Sequence, residues 1–323
     1  MKILVFGKDG QLGKALRAQL HSDAPLSGLE IQYIGRAECD LADGQALTAL
    51  LNQFEPNVII NASAYTAVDK AETEKELAYA VNSRAPELMA QYAASHGSTF
   101  VHYSTDYVFD GEKYGFYLED DIRNPLAIYG KSKAAGEEAI ARVFANAAKS
   151  TANRLGQYAI FRTSWVYGEG ANFIRTILRL AKDREALRVI HDQFGVPTSA
   201  QWLAQISMGL VMSKKAECIQ FPSGIYHAVP AGETTWHGLA VLAVRSALDA
   251  GISLKASPER IEPIPASEYP LPAPRPMNSR MSTDKLRQIF EGRGDMSKLQ
   301  LLNQPWDVAV RAYVRHLAQA GLI

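Results

Sequence analysis

The 323-residue sequence predicts an α/β fold with a doubly wound parallel sheet, and three observations carry that expectation. Short, wholly apolar runs recur, as in KILVF at 2–6 and within PNVIIN at 56–61; strands buried on both faces of a parallel sheet read this way. Stretches of helical period separate these runs, which is the alternation of an α/β domain. The first run passes straight into GKDGQLG at 7–13 and then into the helical pattern LGKALRAQL. Strand, glycine turn and helix in succession is the setting of a dinucleotide fingerprint.

In that turn Gly7 allows the tight bend and Gly10 lets the backbone approach a pyrophosphate. Gly13 permits the helix to pack close to the strand, and the helix start offers free N–H groups to phosphate. Gln11 and Leu12 lie on the same turn. The spacing GxxGxxG, rather than GxGxxG, points to a Rossmann-type sheet of the extended short-chain dehydrogenase/reductase kind. Residues 29–34 are the next expected strand, ending at Gly35 and Arg36. An acid at this point favours a free ribose 2′-hydroxyl and an arginine a 2′-phosphate, so Arg36 points to NADPH, with NADH left open. Asp40 and Leu41 are placed to border the adenine, and Asp43 to cap the helix GQALTALLNQF.

Ala62, Ser63, Ala64 and Tyr65 follow the third strand, at the carboxyl end where open α/β sheets bind ligands. Small side chains there leave room for a cofactor. Residues 71–95 read as one long helix that Pro86 kinks or breaks. Residues 98–103 supply the fourth strand and lead into YSTDYVFDGEKYGFYLEDDIRNPLAIYGKSK at 103–133. Tyr129 and Lys133, four apart, share a helix face. Of the 14 tyrosines only Tyr129 has a lysine at that spacing, which marks it out for chemistry. With the strand-end hydroxyl of Thr105 they make the set needed to protonate a carbonyl while hydride is delivered to it.

The second half alternates helix and strand without a clean boundary. A split near residue 168 separates a dinucleotide-binding part, 1–168 with returns near 195–230, from a smaller interleaved α/β part, 169–323, that mainly binds substrate. Residues 263–276 hold six of the 15 prolines and predict a stiff, extended segment. It leads into RPMNSR at 275–280, where Arg275 or Arg280 offers forked donors to a diphosphate; the alternative is salt bridges that tie the segment down. Cys39 and Cys218 have no metal or redox spacing and read as buried small hydrophobes. The seven histidines show no metal-ligand spacing, and no metal is expected.

Equal numbers of basic and acidic residues, 34 of each, give no basis for binding nucleic acid or a membrane surface. No apolar stretch approaches the roughly 18–20 residues that span a bilayer, and the N-terminus lacks a leader pattern. A cytoplasmic protein is the expectation.

Seven blocks make the reading more specific: GKDGQLG at 7–13, NASAYTAVDKAE at 61–72, STDYVFDG at 104–111, PLAIYGKSKAAGE at 125–137, FRTSWVYG at 161–168, DQFGVPT at 192–198 and RPMNSRM at 275–281. Through them the chain resembles the dTDP-4-dehydrorhamnose reductase family over nearly its whole length. The resemblance implies reduction by NAD(P)H of the 4-keto group of dTDP-4-dehydro-β-L-rhamnose, a dTDP-4-keto-6-deoxyhexose, to dTDP-L-rhamnose, with Thr105, Tyr129 and Lys133 as the catalytic set. It implies a cofactor lined by residues 10–12, Asp40, Leu41, residues 62–64 and Tyr103, with Tyr129 and Lys133 reaching it as well. Thr105, Asp106 and Trp165 would touch the substrate. Ser63 stands where many members have alanine. Ala15 stands where some members carry an acid associated with a metal at a subunit contact, so no metal is assigned there; a homodimer is left open. The stretch FANAAKSTANRLGQ at 144–157 reads as a lengthened connection. Two other readings share the fold: a nucleotide-sugar epimerase or dehydratase, and a non-catalytic NADP-binding regulatory subunit. Asp106 is followed by Tyr107 where a dehydratase needs a glutamate, and the intact trio argues against a binding subunit.

Overall fold

The computed structural model describes residues 1–22, 28–149, 156–213 and 217–323. Its centre is a six-stranded parallel sheet: β1 (Lys2–Phe6), β2 (Glu30–Ile34), β3 (Val58–Asn61), β4 (Thr99–Thr105), β5 (Gln157–Thr163) and β6 (Gly224–His227). The spatial order is β6-β5-β4-β3-β1-β2, so the order reverses between β1 and β3. Ligand crevices open at such a reversal. The α/β sheet expected from the apolar runs is present.

Alternation along β1 divides the core. Ile3 and Val5 face α1 (Gln11–Ser22) and the helix Ala200–Val211, whereas Leu4 and Phe6 face α2 (Gly44–Phe54), α3 (Ala85–His96) and α4 (Ile128–Ala147). A separate apolar cluster joins Tyr167, the helix Phe173–Asp183, the helix Trp236–Asp249 and the helix Trp306–Gln319. The proline-rich stretch is not wholly free of pairing, because Ile261–Ile264 pairs in parallel with Leu187–Ile190. Pro263 fits there because the strand is an edge of a two-stranded ribbon.

The long helix expected at 71–95 is instead a series: Val68–Ala71, Lys75–Tyr79, a π-helical turn Ala80–Arg84, and α3. Pro86 has no N–H to give to the carbonyl of Asn82, four residues back. The wider turn absorbs the missing bond, and Pro86 enters the first turn of α3, where its missing donor costs little. The freed Asn82 carbonyl lies against Gly136 of α4, where a Cβ would come within 2.2 Å of it. Cys39 is buried as expected, but Cys218 is exposed, since it sits on a surface bridge to Met212 at the end of a helix. Of the lengthened connection, α4 accounts for the part up to Ala147, and residues 150–155 lie outside those described.

Candidate active site

The groove at the sheet reversal is built from backbone. Gly7 has φ +88°, and a Cβ on it would lie 2.7 Å from the backbone carbon of Ala62. At Gly13 a Cβ would stand 1.9 Å from the Gly7 carbonyl oxygen, so α1 can meet β1 only through glycine. Gly10 is different: nothing of the protein approaches its missing Cβ closer than 3.4 Å. Its bareness therefore faces the cavity rather than the fold.

That cavity, about 790 Å³, is lined by Gly7, Gly10, Gln11 and Leu12 on one side and by Ala62, Ser63, Ala64 and Tyr65 on the other. Arg36, Asp40 and Leu41 line its far end. The Oε1 of Gln11 is buried without a hydrogen-bond partner. Arg36 is 80% exposed and, among the described residues, is held by a long contact, 3.4 Å, to Asp40. A dinucleotide fits this surface: bare backbone and a helix start for phosphates, an amide oxygen without a partner among the described residues, and an exposed guanidinium at the ribose end.

The reacting groups sit at the carboxyl end of β4. Thr105 is its last residue; its hydroxyl accepts from the Tyr107 N–H at 3.2 Å and donates to Asp106 Oδ1 at 2.8 Å. Burial pushes Asp106 up to about 6, against the neighbouring Ser279 and Thr105 hydroxyls, and its Oδ2 is buried with no partner. Such an oxygen is open to a donor, of which a ligand hydroxyl is one kind. Tyr129 begins the first turn of α4. Burial raises its phenol to about 12, the Thr105 hydroxyl beside it pulls it down, and the charge of Asp106 pushes it up.

Lys133, 1% exposed, donates to the Tyr103 carbonyl at 2.6 Å and lies 3.0 Å from His102 Nε2. Burial brings its ammonium down to about 8, with Glu137 opposing. Sequence reasoning expects Lys133 to lower the phenol, but here the lysine is turned onto His102 and Tyr103, and burial dominates Tyr129. Tyr103 differs from expectation too. Its side chain lies on the face of β4 opposite His102, where its hydroxyl meets Ser207 at 2.6 Å and its ring packs on Phe161. Only its backbone carbonyl reaches the Lys133 side.

Three residues that sequence reasoning missed fix α4. The helix has no side-chain N-cap of its own; Glu72 accepts the Ile128 N–H at 2.8 Å instead, an acid at a helix N-terminus. Asn82, fully buried, accepts from Tyr65 N–H at 2.8 Å and donates to Tyr65 O and to Ser132 Oγ, each at 3.0 Å. It joins the cofactor loop to the turn that carries Lys133. Tyr107 stands edge-on to Tyr129, ring centres 5.6 Å apart. Gly130 makes this closeness possible, since a Cβ there would lie 2.1 Å from the Tyr107 carbonyl oxygen. The adjacency of Gly130 to Tyr129 is a signal that reasoning could have used.

Residues 275–281 close over this end of the sheet as a clasp. Arg275 forms a two-pronged pair with Asp69, at 2.7 and 2.8 Å, and flanks Tyr107, so it serves as a tie rather than a free diphosphate donor. Asn278 donates to the carbonyls of Lys113 and Gly115, both at 2.7 Å, and Ser279 reaches Asp106. Arg280 points elsewhere, over the Phe194 ring at 5.2 Å with Glu233 at 3.2 Å. Trp165, at φ +47°, stacks on Trp236 at 3.7 Å, and its ring occupies the space a side chain at Gly195 would take. Holding a tryptophan in the left-handed region costs about 1–3 kcal/mol, and such strain concentrates at ligand sites.

The family described as RmlD substrate binding domain matches residues 1–309. The dTDP-4-dehydrorhamnose reductase of Shigella flexneri is 40% identical over 323 residues, covering 98% of each chain. The solved dTDP-4-dehydrorhamnose reductase of Clostridium acetobutylicum ATCC 824 superposes with a TM-score of 0.81 at 33% identity, over 98% of this chain and 99% of that one. The Bacillus anthracis str. Ames reductase, solved in complex with NADP, gives 0.77 at 28% identity over 96% and 97%. With similarity running through groove, strand end and clasp alike, the chain belongs to the dTDP-4-dehydrorhamnose reductase family.

Proposed function

We propose that the protein reduces the 4-keto group of dTDP-4-dehydro-β-L-rhamnose to the alcohol of dTDP-L-rhamnose, with NADPH as reductant. The observation that carries this reading is the grouping at the end of β4: a phenol, a strand-end hydroxyl and a buried carboxylate oxygen still lacking a donor, beside a dinucleotide-shaped groove. The nicotinamide supplies the hydride when bound.

The chain's own residues do the rest. Tyr129 gives its phenolic proton to the developing alkoxide at C4. Thr105 holds that oxygen with a hydrogen bond, an oriented donor worth about 2.7–4 kcal/mol in comparable sites. Asp106 Oδ2 accepts a sugar hydroxyl and fixes the face of the ring presented to the groove. A phenol near 12 is a poor acid at neutral pH, so a cation has to come near it for turnover. Lys133 is the one positioned to do so, one helical turn on. Arg36 at the ribose end favours a 2′-phosphate over a bare hydroxyl. Tyr107 packs where a dehydratase would need a second acid, which favours simple reduction.

Purified protein given the dTDP-4-keto-L-sugar should consume NADPH with unit stoichiometry, followed as the loss of nicotinamide absorbance, and NADH more slowly. Absence of turnover with either cofactor would remove the reading.

A further inference from the structure

A buried chain of hydrogen bonds runs beneath Lys133, and its direction can be read. It starts at the groove, where the Ser63 backbone N–H donates to Asn61 Oδ1 at 3.1 Å. A backbone N–H can only donate, so this contact fixes which end of the Asn61 amide is which. Asn61 Nδ2 therefore donates to His102 Nδ1, 3.2 Å away. Asn61 and His102 are register partners across β3 and β4, both fully buried, so the pair is set by the sheet itself. Burial keeps the imidazole neutral.

With Nδ1 accepting, the proton of the neutral ring is on Nε2, and Nε2 lies 3.0 Å from Lys133 Nζ. An ammonium has three donors and no acceptor, and would meet Nε2–H donor to donor. A neutral amine resolves the conflict: it accepts from His102 and donates to the Tyr103 carbonyl at 2.6 Å.

The other charged groups here leave that balance in place. On α4, Glu137 favours the ammonium, yet Arg162 of β5 takes both its oxygens, at 2.9 and 2.7 Å. Arg123 pairs with Glu137 as well, at 3.3 Å, and Tyr129 of α4 with Asp106 and Tyr107, just beyond β4, are the other titratable groups beside the site.

We propose that His102, oriented by Asn61, is a positioning residue that holds Lys133 as a neutral amine in the cofactor-free protein and releases it to be protonated from solvent when the dinucleotide binds. The chain begins at Ser63, which lines the cofactor groove, so a ligand there bears on its first link and brings negative charge toward the lysine. The phenol of Tyr129 then gains its cation only once the cofactor is in place. This coupling rests on the reductase reading, and its test separates the two.

The experiment is calorimetric titration of NADPH into the full chain at pH about 9, where the NADPH 2′-phosphate is fully ionised, in buffers of differing ionisation enthalpy. Uptake approaching one proton per site is expected. Binding with no proton uptake would overturn the coupling and leave the reductase reading standing; no NADPH binding at all would overturn both. Asn61→Asp still accepts the Ser63 N–H but, as an acceptor only, holds the ring proton of His102 on Nδ1 through an Nδ1–H hydrogen bond, which turns Nε2 into an acceptor for the ammonium. His102→Gln offers a carbonyl oxygen at the same place. Whichever variant folds should bind NADPH with the uptake lost, a change that loosened packing alone would not produce. Lys133→Met should lose it as well. Uptake persisting in these proteins would contradict the proposal.

Discussion

In the groove between β1 and β3 the contacts are backbone against backbone: Gly7 against Ala62, and Gly13 against Gly7. In the clasp over the end of β4 they are side chains that cross the molecule: Arg275 to Asp69 over 206 residues of chain, and Asn278 to Gly115 over 163. At Gly7 and Gly13 the groove tolerates no added atoms, but what it presents is generic. The clasp has adjustable parts, and each one touches the segment that bears Asp106, Tyr107 or their loop. A site of the first kind suits a ligand common to many enzymes. A site of the second kind suits the substrate particular to one.

The widest separation between the two regions should come from alanine at glycine. Gly13→Ala drives a methyl into the Gly7 carbonyl and should cost about 3 kcal/mol in chemical denaturation, along with NADPH affinity. Gly10→Ala, whose methyl meets only open groove, should leave stability near wild type while weakening NADPH binding. Equal destabilisation by both would mean that Gly10 serves the fold after all.

A smaller effect, of opposite sign, is expected at Asp106. Its ordinary value is 3.8 and burial lifts it to about 6 in the folded protein, so the folded state holds the proton more tightly. That stability is present below the unfolded value and is lost as pH rises from about 4 through 6. Asp106→Asn should therefore stabilise the protein at neutral pH, on the order of 2 kcal/mol, with the gain vanishing near pH 4. Turnover should fall in the same variant. A melting temperature unchanged at pH 7 would show that the carboxylate is better solvated than its surroundings indicate.

How far the sequence discloses each region follows from this difference. The groove was legible because its requirements are local: glycines at 7, 10 and 13 after an apolar run can be read in a single window. Thr105, Tyr129 and Lys133 were legible through spacing and strand ends. The clasp was visible only as RPMNSRM. Whether Arg275 met a diphosphate or a carboxylate depended on Asp69, which lies in another segment that no local pattern connects to it. The π turn at 80–84 was hidden for a related reason. Pro86 announces a break, but how it is absorbed depends on Gly136 lying across from Asn82. Strand alternation puts Tyr103 on the face of β4 opposite His102, against Ser207 and Phe161.

The smallest expected effects sharpen the comparison most cleanly, because each should stay on its own side. Arg275→Ala removes a charge-assisted tie worth about 1.5–3 kcal/mol and should raise the KM for the sugar nucleotide roughly tenfold, with NADPH affinity unchanged. Arg36→Ala removes an exposed guanidinium and should weaken NADPH binding about fivefold, with the sugar KM unchanged. Steady-state kinetics against each ligand would check both, and effects that crossed over would show the two regions to be one unit.

The central claim is that Tyr129 is the acid of a cofactor-dependent reduction, and the most direct measurement pairs two readings on Tyr129→Phe. NADPH affinity by nicotinamide fluorescence should equal that of the wild type, while NADPH oxidation in the presence of the dTDP-4-keto-L-sugar should fall about a thousandfold. Turnover at the wild-type rate with the phenylalanine in place would contradict it.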